Sequence, residues 1–275
     1  MPPHVDDETT LAHHLITGID SLIEGKVPAV SMRLYSAQDH TTPSYTRDTS
    51  CWANDIVAKL TAISPWNSHG SYTQAGVLIS PRHVLFATHF FPPSGTTIRF
   101  VTAANVVVDR TLSATESLTV TGTLYPDLTV WLLDSDVPGT ISFMKVLPSG
   151  FESKLPGSLA SYKIPVAATD QEEKLQIHNL TSLPSSSSPL AYLSMEAPTS
   201  GARRDYYENF VMGDSGSPCF CILDGEAVLL TVVSVGNAGA GTSVAAFHNN
   251  VNAAMTSLGG GYQLTTADLS SFPNV

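Results

Sequence analysis

Residues 213–218 read Gly-Asp-Ser-Gly-Ser-Pro and lead directly into an apolar run at residues 219–223. The stretch sets Ser215 between two glycines, and glycine adopts the backbone angles of a tight turn at little steric cost. A nucleophilic hydroxyl needs such an exposed turn, with backbone N–H groups nearby that point at a developing oxyanion. The sequence therefore predicts a nucleophilic serine at Ser215 rather than an ordinary Gly/Ser/Pro surface turn.

A histidine and an acid precede this serine in the chain. Residues 74–89 read QAGVLISPRHVLFATH, which is two apolar runs joined by a Ser-Pro-Arg turn and ending in His89. Asp127 stands directly before a run of β-branched and apolar residues at 128–133. His89, Asp127 and Ser215 are spaced by 38 and 88 residues, and they are the residue types of an acyl-transfer triad.

These three segments resemble the motifs of the chymotrypsin/trypsin-like serine protease family over residues 50–258. The six-residue string resembles the nucleophile motif of the family. The order His, Asp, Ser is that of the chymotrypsin group, not that of subtilisin or the α/β-hydrolases. An α/β-hydrolase elbow fits poorly, because position 217 is Ser and no strand is evident before the motif.

The resemblance implies an all-β fold, a chymotrypsin-like double six-stranded antiparallel β-barrel with an N-terminal helical extension and a C-terminal helix. It also implies a serine endopeptidase that hydrolyses peptide bonds through an acyl-enzyme. Ser215 would attack the scissile carbonyl, His89 would carry the proton and Asp127 would orient the imidazole. The backbone N–H groups of Gly213 and Ser215 would form the oxyanion hole, and no metal or organic cofactor is required.

Other residues compete for the roles of base and acid. His83 lies six residues before His89, but a histidine inside an apolar run is more simply a packed one. Asp134 and Asp136 are rival acids, although they follow the apolar run instead of opening it. We therefore assign the acid to Asp127 and keep the other two as alternatives.

An Asp-Gly pair at residues 224–225 predicts where the substrate-binding strand lies. Asp-Gly between two apolar runs is typical of a two-residue type I′ hairpin, in which the numbers of opposed residues add up to a constant, here 449. Ser215 is then opposite Ser234 if no bulge intervenes. Ser234, Val235 and Gly236 resemble the family's segment that binds the substrate backbone, so the turn places this segment beside the nucleophile.

The expected side-chain preference depends on Asn209, which lies six positions before the nucleophile. In this family that position often forms the base of the specificity pocket. A carboxylate there would hold Arg or Lys, because a buried charge needs a compensating partner, whereas Asn offers neutral groups. We expect cleavage after neutral side chains, with Gly236 leaving the pocket wall open. A one-residue shift to Glu208 would reverse this preference.

Composition limits the fold and the partners. Hydrophobic residues make up 43% of the 275 residues, which is enough to fill one large two-barrel domain. The net charge of −11 argues against a nucleic-acid surface. No apolar run reaches the roughly 18 residues of a membrane span. We expect a protein or peptide substrate as the partner.

The resemblance divides the chain into three parts. Residues 1–50 form an N-terminal extension with an amphipathic helix within residues 9–26, where apolar residues recur at helical spacing. Residues 51–145 form the first barrel, which carries the histidine and the acid. Residues 146–275 form the second barrel, which carries the serine and adds a helix within 244–258 and a tail.

The N-terminal region departs from the family. Residues 1–8 lack the layout of a secretory signal, which leaves an intracellular protein and a signal-stripped secreted protein both open. Many family members are activated by cleavage before an Ile-Val-Gly-Gly-like start, whose amine pairs with the acid before the serine. No such start occurs here. Asp214 therefore needs another partner, either an arginine or backbone amides.

Cysteine usage predicts at most one disulfide. The three cysteines are Cys51, Cys219 and Cys221. The last two share one face of a strand, an awkward geometry for a mutual bridge, so Cys51 could pair with either. A metal site is not expected, because His13 and His14 are adjacent and no Cys-x-x-Cys occurs.

Two other functions remain open on the same motifs. The first is a catalytically silent family member that acts as a binding or scaffold module. The second is an esterase-like acyl hydrolase on the same fold, which would share the site.

Overall fold

The computed structural model describes residues 8–67, 74–119, 126–155, 162–183 and 191–274. The α-helices of this part of the chain are α1 (Leu11–Ile23), α2 (Pro28–Ser31) and α3 (His248–Leu258). Short 3-10 helices cover Asn54–Ile56, Leu60–Ala62, Phe151–Lys154 and Ala202–Tyr206. None of these helices has the length and apolarity to cross a membrane. A small sheet of β1 (Tyr35–Asp39) and β2 (Ser44–Arg47) follows α2.

A five-stranded antiparallel sheet carries the histidine and the acid. Its strands are β3 (Val77–Ser80), β4 (His83–Phe86), β5 (Thr97–Val101), β6 (Val107–Ser117) and β7 (Thr129–Leu133), in the order β3-β4-β7-β6-β5. Phe86, at the end of β4, pairs with Thr129, at the start of β7. This pairing brings His89 and Asp127 together, because each lies just beyond one of these two strand ends.

A seven-stranded sheet carries the serine. Its strands are β8 (Lys145–Val146), β9 (Pro165–Thr169), β10 (Leu175–Ser182), β11 (Tyr192–Glu196), β12 (Pro218–Leu223), β13 (Glu226–Val232) and β14 (Ala240–Thr242). Their order is β14-β11-β10-β9-β12-β13-β8. The strands of the described residues thus divide five and seven between the two large sheets, where six and six were expected. The two-residue strand β8 pairs with β13 in parallel orientation. The expected boundary between the two barrels, between residues 145 and 146, falls inside this strand.

The β12–β13 hairpin has the turn that Asp-Gly predicts, because Asp224 and Gly225 have φ angles of +51° and +77°. The simple register fails further along, since a bulge between Cys219 and Phe220 shifts the pairing by one residue. The turn predicts that Ser215 faces Ser234 in a regular ladder, because their numbers add up to 449. The structure does not have this pairing. The extra residue in β13 is the physical reason, because it adds one position to one strand only.

The hairpin continues past its last regular pair. Val233 N–H donates to the Ser217 carbonyl at 2.8 Å, and Gly216 N–H donates to the Val233 carbonyl at 2.9 Å. Ser215 directly precedes Gly216, and Ser234 directly follows Val233. The segment 234–236 therefore begins at the nucleophile turn, in spite of the bulge.

The N-terminal helix docks tightly on the seven-stranded sheet. Thr10 caps α1, since its hydroxyl accepts from the His13 N–H at 3.2 Å. The apolar stripe of Leu11, Leu15 and Ile19 is buried. A side chain at Gly18 would place its Cβ 2.1 Å from the carbonyl oxygen of Ile222 in β12, so the helix backbone approaches the strand more closely than any other residue type allows.

Two smaller features complete the description. All three cysteines are buried free thiols, so neither disulfide with Cys51 is formed. Their burial raises the pKa of Cys51 to about 11 and that of Cys221 to about 12. The C-terminal helix lies within residues 244–258: it runs from His248 to Leu258, and Gly259, whose φ is +86°, stops it.

Candidate active site

His89 lies between Asp127 and Ser215 and is hydrogen-bonded to both. Its Nδ1 is 2.7 Å from Asp127 Oδ2, and its Nε2 is 2.8 Å from Ser215 Oγ. Its backbone N–H also donates to Asp127 Oδ1 at 3.0 Å. A carboxylate only accepts hydrogen bonds, so Nδ1 carries the ring proton and Nε2 presents its lone pair to the serine hydroxyl. This is the arrangement that removes a proton from Ser215 as its oxygen attacks.

Asp127 is also anchored from the other sheet. Its N–H donates to Oγ1 of Thr242 in β14 at 3.2 Å, and Thr242 is fully buried. The Asp127 side chain is 14% exposed, whereas that of His89 is 47% exposed. The acid is therefore largely shielded from water while the imidazole stays open to a substrate. Thr242 carries no sequence motif and was not predicted.

The turn around Ser215 leaves two donors unused. Gly213 and Gly216 have φ angles of +106° and +87°, values that only glycine adopts without strain. Gly216 N–H donates to Val233, and Ser217 N–H donates to the Asp214 carbonyl at 3.1 Å. Within the described residues, neither the Gly213 N–H nor the Ser215 N–H donates a hydrogen bond. Two unpaired donors beside a nucleophile are what an oxyanion needs.

Asp214 is held by backbone amides. Its Oδ1 accepts from the Gln171 N–H at 3.0 Å, and its Oδ2 accepts from the Val211 N–H at 2.6 Å. No arginine contacts it among the residues that the structure describes. The carboxyl is fully buried, and this burial raises its pKa above the ordinary value. Of the two alternatives for its partner, backbone amides are the one observed.

Comparisons with known proteins identify the fold. No family model matches the sequence, and no curated protein matches it. The structure is similar to that of the [R23S,F25E] mutant of human heparin binding protein (CAP37), with a TM-score of 0.53 and 16% identity. The match covers 75% of this chain and 96% of that chain. The chain has the chymotrypsin-like fold.

The chymotrypsin-like fold does not by itself establish an activity. Identity of 16% supports only the shared architecture, since one fold hosts many functions. What this chain does has to be argued from its own side chains.

The segment 234–236 forms one side of a short hairpin. The N–H groups of Ser234 and Val235 both donate to the Ala240 carbonyl, at 2.9 and 3.1 Å. The Gly236 carbonyl accepts from the Gly239 N–H at 3.3 Å, whereas the Gly236 N–H has no acceptor within the described residues. An extended peptide laid along this segment would meet one free donor at Gly236.

The expected pocket residues lie at the surface beside this hairpin. Asn209 is exposed, and its Oδ1 accepts from the Tyr207 hydroxyl at 2.6 Å. Glu208, the alternative pocket acid, is bound by Lys174, whose Nζ lies 2.7 and 2.9 Å from its two carboxylate oxygens. The next residue, Phe210, exchanges two backbone hydrogen bonds with Asn237. Glu208 is therefore already paired with a cation of the protein itself, although Lys174 is also shared with Glu172.

A buried histidine lies behind this pocket, and the sequence analysis missed it. His178 of β10 stacks on Phe210, with ring centroids 4.5 Å apart and planes 1° from parallel. Its Nδ1 lies 3.0 Å from the Ala238 carbonyl, and burial lowers its pKa to about 4. The ring is therefore neutral near pH 7 and supports Phe210, the residue that follows Asn209. No sequence motif surrounds His178, so the sequence gave no signal of this contact.

The rival residues are engaged elsewhere. His83 is buried, with Nδ1 2.8 Å from the Ser80 hydroxyl. Asp134 accepts from the Thr111 N–H at 3.1 Å. Asp136 accepts from the Tyr262 hydroxyl at 2.6 Å. None of the three contacts His89, and no group of three metal-binding side chains occurs in the described part of the chain.

Proposed function

We propose that this protein is a serine endopeptidase that cleaves peptide bonds through a covalent acyl-enzyme on Ser215. The observation that carries the proposal is the hydrogen-bonded series from Asp127 through His89 to Ser215. The two unused N–H groups of Gly213 and Ser215 support it, because they lie where negative charge would develop.

In the first half of the reaction, Ser215 Oγ bonds to the scissile carbonyl carbon as its proton passes to His89 Nε2. The carbonyl oxygen becomes an oxyanion that accepts from the Gly213 and Ser215 N–H groups. Asp127 holds the Nδ1 proton and stabilises the charged imidazole. The carbon–nitrogen bond then breaks, and the leaving amine takes the proton from Nε2.

In the second half, water attacks the ester carbon of the acyl-enzyme and gives a proton to His89 Nε2. The tetrahedral intermediate collapses, Ser215 Oγ leaves, and the same proton returns to it. The new carboxylic acid departs, and the site is restored without a change in oxidation state.

An extended polypeptide with neutral side chains is the substrate that the surroundings favour. Val211, Met212 and Val235 are unusually exposed apolar residues, Met212 at 97%, and they belong to the nucleophile turn and to the adjoining segment 234–236. Apolar side chains at these positions would favour contact with an extended substrate. Asn209 is neutral and the Glu208 charge is paired with Lys174, so we propose cleavage after neutral residues.

The alternative functions make different use of the same site. A silent binding module has no need of His89 aligned with both partners. An esterase has no need of the free Gly236 N–H, which suits a peptide backbone. These observations favour the endopeptidase over both.

A peptide-cleavage assay tests the proposal. A mixture of synthetic peptides is incubated with the protein and with its Ser215→Ala variant, and new termini are mapped by mass spectrometry. We expect cleavage by the protein only, with a rate loss on the order of 10⁶ in the variant, as in subtilisin. Hydrolysis of activated esters without peptide cleavage would indicate the acyl hydrolase, and peptide binding without either would indicate the silent module.

A further inference from the structure

The two peptide groups that form the oxyanion turn are each anchored at their carbonyl oxygen. The first group joins Met212 to Gly213, and the second joins Gly213 to Asp214. A trans peptide is planar, with its C=O and N–H pointing in opposite directions. Whatever holds the Met212 carbonyl therefore also aims the Gly213 N–H.

Trp66 anchors the second peptide group. Its indole Nε1–H donates to the Gly213 carbonyl at 3.0 Å, and the Asp214 N–H on the other side of that peptide donates to the Val211 carbonyl at 3.2 Å. Trp66 is itself fixed, because its backbone N–H donates to the carboxyl of buried Glu173. The indole thus acts from a position 147 residues away in the chain.

Gln171 anchors the first peptide group and the acid together. Its side-chain Nε2–H donates to the Met212 carbonyl at 3.4 Å, and its backbone N–H donates to Asp214 at 3.0 Å. A Cβ on Gly213 would lie 3.0 Å from Gln171 Oε1. The Gln171 side chain therefore lies directly over the turn, on the side away from the free Gly213 N–H.

The loop that carries Gln171 is held by its own residues and by the N-terminal extension. Asp170 Oδ1 accepts from the Glu172 and Lys174 N–H groups at 2.8 and 3.0 Å. Leu34 N–H donates to the Glu173 carbonyl at 2.9 Å, and Leu175 N–H donates to Met32 at 2.7 Å. Gln171 is therefore presented to the turn by a hydrogen-bonded frame.

We propose that Gln171 and Trp66 are positioning residues that aim the Gly213 N–H at the oxyanion. With the extension docked, they hold the turn and Asp214 in the arrangement that leaves this donor free. The inference rests on the proposed function, since it concerns the same reaction. Both residues act through carbonyl oxygens of the turn, so their loss would weaken stabilisation of the transition state and leave binding of the ground state unchanged.

Two near-isosteric variants test this inference. Gln171→Met removes the side-chain amide and keeps the backbone N–H, and Trp66→Phe removes the indole N–H and keeps an aromatic ring. For each variant we would measure kcat and KM on one peptide, and the affinity of a peptide aldehyde and of its matching alcohol. The aldehyde bonds to Ser215 Oγ and places an oxygen in the oxyanion hole, whereas the alcohol does not.

We expect kcat to fall by at least ~10-fold and by no more than the ~10²–10³-fold that follows loss of an oxyanion donor itself, with KM nearly unchanged. Aldehyde affinity should fall with kcat, and alcohol affinity should stay constant. Glu172→Gln, an exposed change beside Gln171, is the matched control and should behave as the parent protein. Circular dichroism would verify that each protein is folded. If Gln171→Met does not fold, the result for Trp66→Phe alone decides the test.

The inference would be overturned if both variants kept the kcat of the parent protein and the same ratio of aldehyde affinity to alcohol affinity. So would a rise in KM with constant kcat, because that would mean a general loosening of the binding surface. Failure of the proposed function has a different signature, since the parent protein would then neither cleave peptides nor prefer the aldehyde.

Discussion

His89 Nε2 lies 2.8 Å from Ser215 Oγ, although 126 residues separate the two in the chain. His89 follows a strand of the five-stranded sheet, and Ser215 precedes a strand of the seven-stranded sheet. The contact therefore depends on how the two sheets pack together. The Asp127 N–H, which donates to Thr242, is a second link between the same sheets.

The acid of the site should be Asp127 and not Asp134. Asp127→Asn keeps the shape of the side chain but no longer holds the imidazole in the required tautomer. We expect the rate of peptide cleavage to fall by about 10⁴-fold, as in the Ser-His-Asp template, with the fold intact. Asp134→Asn is the matched control and should retain full activity. If Asp134→Asn lost activity and Asp127→Asn did not, the acid would have to be assigned to Asp134.

Cleavage should follow neutral side chains. A peptide-library profile would measure this preference directly. Glu208→Gln should leave the profile unchanged, because Lys174 already binds the Glu208 carboxylate. A profile dominated by Arg or Lys before the scissile bond, and lost in Glu208→Gln, would show that Glu208 forms the pocket.

Stability should fall as pH rises above neutrality, because burial raises the pKa of Glu173 to about 8. Between the ordinary carboxyl value near 4.5 and 8, the folded state keeps a proton that the unfolded state has released. Raising the pH across this window therefore favours unfolding. His178, His40 and His83, whose pKa values burial lowers, act in the opposite sense, mainly below their ordinary value of 6.5. Their contribution cancels when the parent protein is compared with a variant at Glu173.

Urea unfolding of the parent protein and of Glu173→Gln at pH 6.5 and 8 measures this effect. The glutamine still accepts from the Trp66 N–H but does not titrate. We expect the parent to lose about 1–2 kcal/mol relative to the variant across this interval. Parallel curves for the two proteins would mean that Glu173 is ionised in the folded state.

The N-terminal helix should tolerate no side chain at Gly18. Alanine favours an isolated helix, but at Gly18 its Cβ would meet the Ile222 carbonyl at 2.1 Å. We expect Gly18→Ala to lower the free energy of unfolding by roughly 1–3 kcal/mol, the usual cost of overpacking. Gly139→Ala enters open space and should change it by less than about 0.5 kcal/mol. Equal effects of the two changes would mean that α1 is not docked as described.

Local features were the ones that the sequence predicted well. The type I′ turn depends only on Asp224 and Gly225, which both adopt positive φ. The helix near the N-terminus follows from the spacing of Leu11, Leu15 and Ile19. In each case the residues that decide the structure are neighbours in the chain.

Long-range features that no sequence motif marks could not be predicted. The bulge beside Phe220 changes the register without any change in the apolar pattern. The donors that hold Asp214 and Gly213 come from Gln171 and Trp66, whose approach is decided by the folding of distant loops. Backbone amides need no particular side chain, so no motif marks them.

Covalent labelling with a fluorophosphonate tests the central claim most directly. Ser215 Oγ would bond to phosphorus, fluoride would leave, and the serine proton would pass to His89. Peptide mapping of the labelled protein should then find the adduct on Ser215 alone, with labelling strongly slowed in His89→Ala. An adduct on another residue, or no adduct on the folded protein, would contradict the account.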